Sequence, residues 1–228
     1  MTKHEDKVAA LILTPYHHAT FAPSELAAEG FWAEVESLCS RYGTILILDD
    51  VRCGGRLHSR GSHRYFGFTP DLAVYSKALG NGYAISACVG KESFRKPSME
   101  VFLTGSCWND ALAMAAALKS LELAERENAA DAILQKGTLL SEGLERVADN
   151  HGQALRMTGP PSMPYPWFEG DDNLFKIQTF CQLCAEDRIY FHPHHNWFLS
   201  NAHDSESIEQ AIAVAEKALI RMSEEEDS

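Results

Sequence analysis

Short continuous apolar runs alternate along the chain with longer stretches in which apolar positions recur every three or four residues. Val8-Ala-Ala-Leu-Ile-Leu13, bounded by Thr14-Pro15, predicts a buried strand. Pro23-Ser24-Glu25 opens a helical pattern that places Phe31, Val35 and Leu38 on one face and stops at Gly43. Thr44-Ile-Leu-Ile-Leu48 predicts a second buried strand running directly into Asp49-Asp50. Strand, helix and strand within about 40 residues make the βαβ unit of a parallel sheet. Arg52 to Pro70 is rich in Gly, Arg, His and Ser without a sustained period, so it predicts a long functional loop. Asp71-Leu-Ala-Val-Tyr75 is a third strand, followed at once by Ser76-Lys77. A fourth, Ala84 to Val89, is reached through the turn Gly80-Asn81-Gly82.

Beyond this region the pattern turns helical. It predicts helices over Asn109–Arg126 and Ala129–Val147, the second burying Leu134, Leu139, Leu140 and Leu144. Gly159-Pro-Pro-Ser-Met-Pro-Tyr-Pro166 reads as a connection to a helix over Leu174–Glu186. Ile189-Tyr-Phe191 reads as a short strand. Ser205 caps a last helix with Ile208, Ile212, Ala215 and Leu219 inward, and Glu224–Ser228 is a fraying tail. The expected organisation is two domains, an α/β domain over residues 1–120 and an α+β domain over 121–228.

Composition narrows the function. A formal charge of −12 over 228 residues disfavours nucleic acid or an anionic membrane as the main partner. No apolar run approaches the roughly 18–20 residues that span a bilayer. The opening Met1-Thr-Lys-His-Glu-Asp-Lys7 lacks the character of a secretory or transit signal. The six cysteines are scattered, unlike a disulfide framework, and read as reduced thiols of a cytoplasmic protein.

Two strand ends carry candidate chemistry. Asp49 closes a buried strand, and in open parallel sheets ligands bind beyond the carboxyl ends of strands. A strand-end carboxylate also serves as a helix cap or pairs with an arginine, here Arg52 or Arg56, and position alone leaves both readings open. Lys77 follows another buried strand by two residues. Alone it reads first as a snorkelling surface lysine. At the same sheet edge as Asp49, it reads as an amine able to form a Schiff base with a carbonyl. Together they suit a pyridoxal site, lysine for the aldehyde carbon and carboxylate for the pyridine nitrogen.

Four segments in order resemble the class III aminotransferase family, and its glutamate-1-semialdehyde aminomutase-like branch in particular. They are Ile45–Arg56, Pro70–Ala84 with the lysine, Leu103-Thr-Gly-Ser-Cys-Trp-Asn-Asp110 with the helix after it, and Asn196-Trp-Phe-Leu-Ser-Asn-Ala-His203. The resemblance implies an aspartate-aminotransferase-like fold of type I, truncated at its N-terminus, with a small C-terminal α+β domain. It implies pyridoxal 5'-phosphate as cofactor, Lys77 as its lysine and general base, and Asp49 as partner of the ring nitrogen. Val51 matches the residue beneath the ring. Gly105 and Ser106 match the turn that reaches the cofactor phosphate of a neighbouring subunit, with Thr104 a rival for the hydroxyl. The implied reaction is transfer or migration of an amino group, through transaldimination and a 1,3-proton shift. The implied assembly is a homodimer or a complex with a full-length relative acting on a small-molecule amino donor or acceptor; the rival reading is a non-catalytic remnant or regulatory subunit.

The sequence also departs from the family. Asp50 stands where Glu is usual, and Thr14 where Glu commonly precedes Pro15, two changes expected to bear on the substrate pocket or on the reaction. Only 48 residues precede Asp49, where the family has a longer portion with a phosphate-binding turn and a ring-stacking aromatic. Cys181, Cys184, His192, His194 and His195 lack the spacing of a zinc site and are assigned to packing or pocket lining, so no metal is expected. His17-His18 reads as a surface loop or an entrance to the site.

Overall fold

The structure is a computed structural model describing residue 4, residues 7–17 and residues 20–226. His18, the first residues of the polar opening, and the last two of the tail, Asp227 and Ser228, lie outside the described residues. The chain forms two compact units, one of residues 1–15 and 27–130, the other of residues 16–26 and 131–228.

The first unit is built on a four-stranded sheet in the order β1 (Ala10–Leu13), β2 (Ile45–Asp49), β3 (Leu72–Tyr75), β4 (Ala87–Gly90). β1, β2 and β3 are parallel, with Leu13 opposite Leu48 and Asp49 opposite Val74. β4 is antiparallel to β3, because an eleven-residue connection is too short to carry the chain back for a parallel pairing. Leu46, Leu48 and Ala73 are buried with Trp32 and Cys39 of α1 (Phe31–Arg41) and with Phe68, whose ring stacks on Trp32 at 4.1 Å. Each such large apolar side chain contributes about 1.5–3 kcal/mol on burial. Within the long loop sits one short helix, α2 (His63–Phe66), and after β4 another, α3 (Arg95–Met99). α4 (Ala111–Arg126) starts at Asp110, whose carboxylate accepts the amides of Leu112 and Ala113. Residue 120, the expected domain division, falls inside this helix.

The second unit packs α5 (Ala129–Asn150), α6 (Phe175–Glu186) and α7 (Ser205–Glu226) with a hairpin of β5 (Leu155–Thr158) and β6 (Tyr165–Phe168). Its core joins Leu144, Val147, Leu155, Phe168, Phe180, Cys184, Ala215 and Leu219.

Several expectations are corrected. The first helix begins at Phe31, not near Pro23, because residues 16–26 leave the sheet and belong to the second unit. Its buried positions are Trp32 and Cys39. On α5, Leu140 and Leu144 are buried as expected, together with Ile133 and Val147, while Leu139 is exposed and Leu134 only partly buried. Residues 189–191 form no strand, while the Pro-rich connection is the turn and second strand of a hairpin. The cap of α7 is Asp204, which accepts the amide of Ser207 at 2.8 Å and its hydroxyl, and Ser205 is the first helical residue. The tail continues the helix to Glu226.

Candidate active site

β2 and β3 run side by side in the same direction, so their carboxyl ends lie at one edge of the sheet. Asp49 is the last residue of β2, and Lys77 opens a one-turn 3-10 helix two residues beyond β3. The structure therefore brings these two to the same edge, on adjacent strands.

Asp49 is partly exposed, and its Oδ1 accepts the amide of Val51 at 3.2 Å, which folds the chain back over the strand end and leaves the second carboxylate oxygen for another donor. Val51 is partly buried. Arg52 and Arg56 do not form a salt bridge with Asp49 among the described residues; Arg56 Nη1 donates to the carbonyl of Arg52 at 2.5 Å.

Lys77 is exposed and has φ of 46°, in the left-handed region. A non-glycine residue there costs on the order of 1–2 kcal/mol, and such outliers gather at functional sites. What holds it is local. The carbonyl of Lys77 accepts the amides of Gly80 and Asn81, Ser76 Oγ donates to the carbonyl of Ile85 at 2.9 Å, and Ser120 of α4 donates to the carbonyl of Ala78. Among the described residues no acidic side chain pairs with the Lys77 amine, whereas Lys91 is held by Asp71 at 2.8 Å. A free amine and a carboxylate with a spare oxygen, at neighbouring strand ends, fit the aldehyde and ring nitrogen of a pyridoxal cofactor.

Thr104, Gly105 and Ser106 are exposed in the turn before α4, and no hydrogen bond among the described residues ties them to Asp49 or Lys77. His17 pairs with Glu25 in an isolated bridge. Cys181 and Cys184 are buried on α6, and no group of three or more His, Cys, Asp or Glu side chains among the described residues is placed to hold a metal ion. Both thiols are pushed well above their usual range, chiefly by burial, which removes them from thiolate chemistry.

Asp50 follows the last residue of β2 and is fully buried, whereas Asp49 is partly exposed. Its Oδ2 accepts the amide of Ser62 at 2.8 Å. Burial raises the pKa of its carboxyl from the ordinary value, the Ser62 amide offsets part of the rise, and the charge of Asp49 adds to it. The sequence led to the expectation that this residue bears on the substrate pocket or the reaction; in the structure its carboxylate is buried and holds the Ser62 amide.

Among the described residues no helix is long and apolar enough to cross a membrane. In the solved structure of FumI from Sphingopyxis sp. MTA144, in its pyridoxal-phosphate internal aldimine form, the same fold recurs with a TM-score of 0.95 and 32% identity, covering 100% of this chain and 55% of that one. An aminopentol aminotransferase of Sphingopyxis macrogoltabida is 34% identical over 94% of this chain and 51% of its own length. A glutamate-1-semialdehyde 2,1-aminomutase of Natranaerobius thermophilus is 30% identical over 95% of this chain and 54% of its own length. The chain thus spans about half the length of the curated relatives it matches. The model of the aminotransferase class-III family matches residues 1–160, and with it this chain belongs to the class III aminotransferases.

Proposed function

We propose that this chain is the C-terminal part of a pyridoxal-phosphate-dependent enzyme that transfers or migrates an amino group. The first unit belongs to the cofactor-binding domain and the second is the small domain. The observation that carries the reading is the pairing of Asp49 and an unpaired Lys77 at neighbouring strand ends. Lys77 binds the aldehyde carbon of the cofactor, and its amine, once released, carries protons between substrate carbons. Asp49 holds the proton on the ring nitrogen. Val51 supports the ring from below. Gly105 and Ser106, or Thr104 in the other register, meet the cofactor phosphate from a second subunit. The cofactor supplies an electron sink. The substrates are a small-molecule amino donor and acceptor, in the cytoplasm.

The partner is a second copy or a full-length relative. Among the described residues β1 and β4 each pair with one neighbour, which leaves two open sheet edges. Phe102 is 90% exposed, Leu112 73% and Leu118 71%, with Val101, Leu103, Trp108 and Leu121 also exposed in the same stretch of the first unit. Monomers rarely expose apolar surface of this density. The isolated chain is expected to self-associate or bind a fluorescent hydrophobic dye strongly. A compact monomer in sedimentation, with no dye binding, removes the basis for a partner.

The function is tested by incubating the chain with pyridoxal phosphate, a panel of primary amines and a panel of 2-oxo acids and aldehydes. It is assayed alone and mixed with the N-terminal half of the aminopentol enzyme. Formation of the carbonyl product from the amine in the mixture supports the reading. A stable mixed complex that binds cofactor yet turns over none of the panel favours the non-catalytic reading.

A further inference from the structure

Asp50 is fully buried, and among the described residues it forms no ion pair. An isolated buried charge is expensive, so a carboxyl is retained in such a place only where its hydrogen bonds do something that an apolar residue cannot.

The contacts of Asp50 tie the end of β2 to β3 and to the loop that follows. Its own amide donates to the carbonyl of Val74 at 2.9 Å, continuing the β2–β3 pairing past Asp49. Its Oδ2 takes the Ser62 amide, twelve residues further on, and so closes the loop that begins with Val51. Its carbonyl accepts the amide of Gly54 at 2.9 Å. A Cβ at Gly54 would lie 2.7 Å from that carbonyl oxygen and 2.7 Å from Cδ1 of Tyr75, so the loop is clamped between the end of β2 and the Tyr75 ring. At the other end of the loop a Cβ at Gly61 would lie 2.4 Å from the Tyr75 hydroxyl. Tyr75 ends β3 and stands two residues before Lys77. The titratable groups around Asp50 are Asp49 on its own strand, Cys53 in the loop and Tyr75 on β3. Burial, followed by the charge of Asp50, raises Tyr75 to about 12 and pushes Cys53 higher still, so neither supplies a compensating charge.

We propose that Asp50 is a positioning residue: by holding the Ser62 amide it clamps the 51–62 loop against Tyr75 and thereby fixes Asp49 and Lys77 relative to each other. The inference rests on the amino-transfer reading of those two residues. A displacement of about 1 Å at a reacting centre costs up to about a hundredfold in rate, so a buried clamp beneath two strand ends has a measurable consequence.

The test uses the full chain and pyridoxal phosphate itself. Two measurements are made, the rate of borohydride-trapped adduct formation at Lys77 by peptide mapping, and the pH midpoint of the unreduced adduct's absorbance, which reports the imine-nitrogen proton and moves when Asp49 no longer holds the ring-nitrogen proton. Asp50→Ala removes the acceptor. Ser62→Pro removes the donor from the other side, and the Ser62 φ of −65° already suits proline. Asp50→Asn restores an acceptor of the same size. Expected are a roughly tenfold slower capture at Lys77 and a shifted pH midpoint in Asp50→Ala and Ser62→Pro, with Asp50→Asn within about twofold of wild type on both. The thermal midpoint is followed in parallel, and Ser62→Pro decides the matter if Asp50→Ala does not fold. Wild-type capture and midpoint in a folded Ser62→Pro overturn the proposal while leaving the amino-transfer reading intact. Failure of the wild-type chain to form any adduct at Lys77 overturns both.

Discussion

Replacing Lys77 by alanine abolishes specific capture of pyridoxal phosphate. Reduction with borohydride and peptide mapping of the wild-type chain place the adduct on Lys77, and in Lys77→Ala that peptide carries none. The expectation follows from what the other lysines are doing. Lys91 is bound to Asp71 at 2.8 Å and Lys119 to Glu122 at 2.8 Å, Lys136 donates to the carbonyl of Asn201, and Lys176 lies over the ring of Phe168. Lys77 alone follows a buried strand of the sheet and is held in a left-handed turn at the edge where Asp49 ends. Asp49→Asn separates two roles. The adduct survives because its formation needs only the amine, while amino transfer in the complemented assembly drops by about a hundredfold or more, as expected when a preorganised charge is removed. Adduct scattered over surface lysines, and unchanged in Lys77→Ala, contradicts the assignment of the site.

Gly137→Ala destabilises the second unit by about 2–4 kcal/mol. On helix propensity alone it would gain about 1 kcal/mol, since Gly137 lies inside α5. Packing reverses the sign. A Cβ at 137 would lie 1.8 Å from the carbonyl oxygen of Pro161 and 2.4 Å from its carbon, and backbone cannot rotate away as a side chain does. Gly143 on the same helix is the control. Its Cβ would meet Cδ1 of Ile212 at 2.2 Å and Cγ1 at 2.9 Å, atoms of a side chain that can give where backbone cannot. Gly143→Ala is expected to lie within about 1 kcal/mol of wild type. Denaturant titration followed by tryptophan fluorescence reads both, because Trp197 is buried in the second unit against Phe191 at 4.1 Å. A Gly137→Ala chain as stable as Gly143→Ala contradicts the close approach of Pro161 to α5.

The elements most visible in the chain were those decided by local pattern. Continuous apolar runs mark strands, so β2 and β3 fall within a residue of their expected bounds, and with them the positions of Asp49 and Lys77, although only alternate residues of β2 are fully buried and β1, expected to be buried, has no buried residue. The long helices α4, α5, α6 and α7 also follow from period alone. The hairpin did not. Pro164 and Pro166 read as breakers, yet a two-stranded hairpin has outer edges where a missing amide costs no ladder bond, so Tyr165–Phe168 pairs with Leu155–Thr158 despite them. The 23–30 segment failed for a different reason. Its helical period is real, but Ser24 donates its amide to the hydroxyl of Thr158, 134 residues away, and that tertiary bond takes it out of helix.

The sequence by itself determined which residues end the strands, because hydrophobic runs mark where a chain enters and leaves a sheet. Placing the candidate amine and carboxylate at one edge also needed the β2–β3 pairing to be parallel, which the pattern implied. Only the tertiary structure decided what lies under that edge. Whether Asp50 lines a pocket or is sealed beneath it depends on which partner its carboxylate finds, and Ser62 is twelve residues away along a loop without a period. The same holds for Lys77, whose left-handed backbone is imposed by Ser76, Gly80 and α4 rather than by its own preference. Local chemistry sets strand and helix, while a buried polar contact across a loop is a property of the packed chain and leaves no periodic trace.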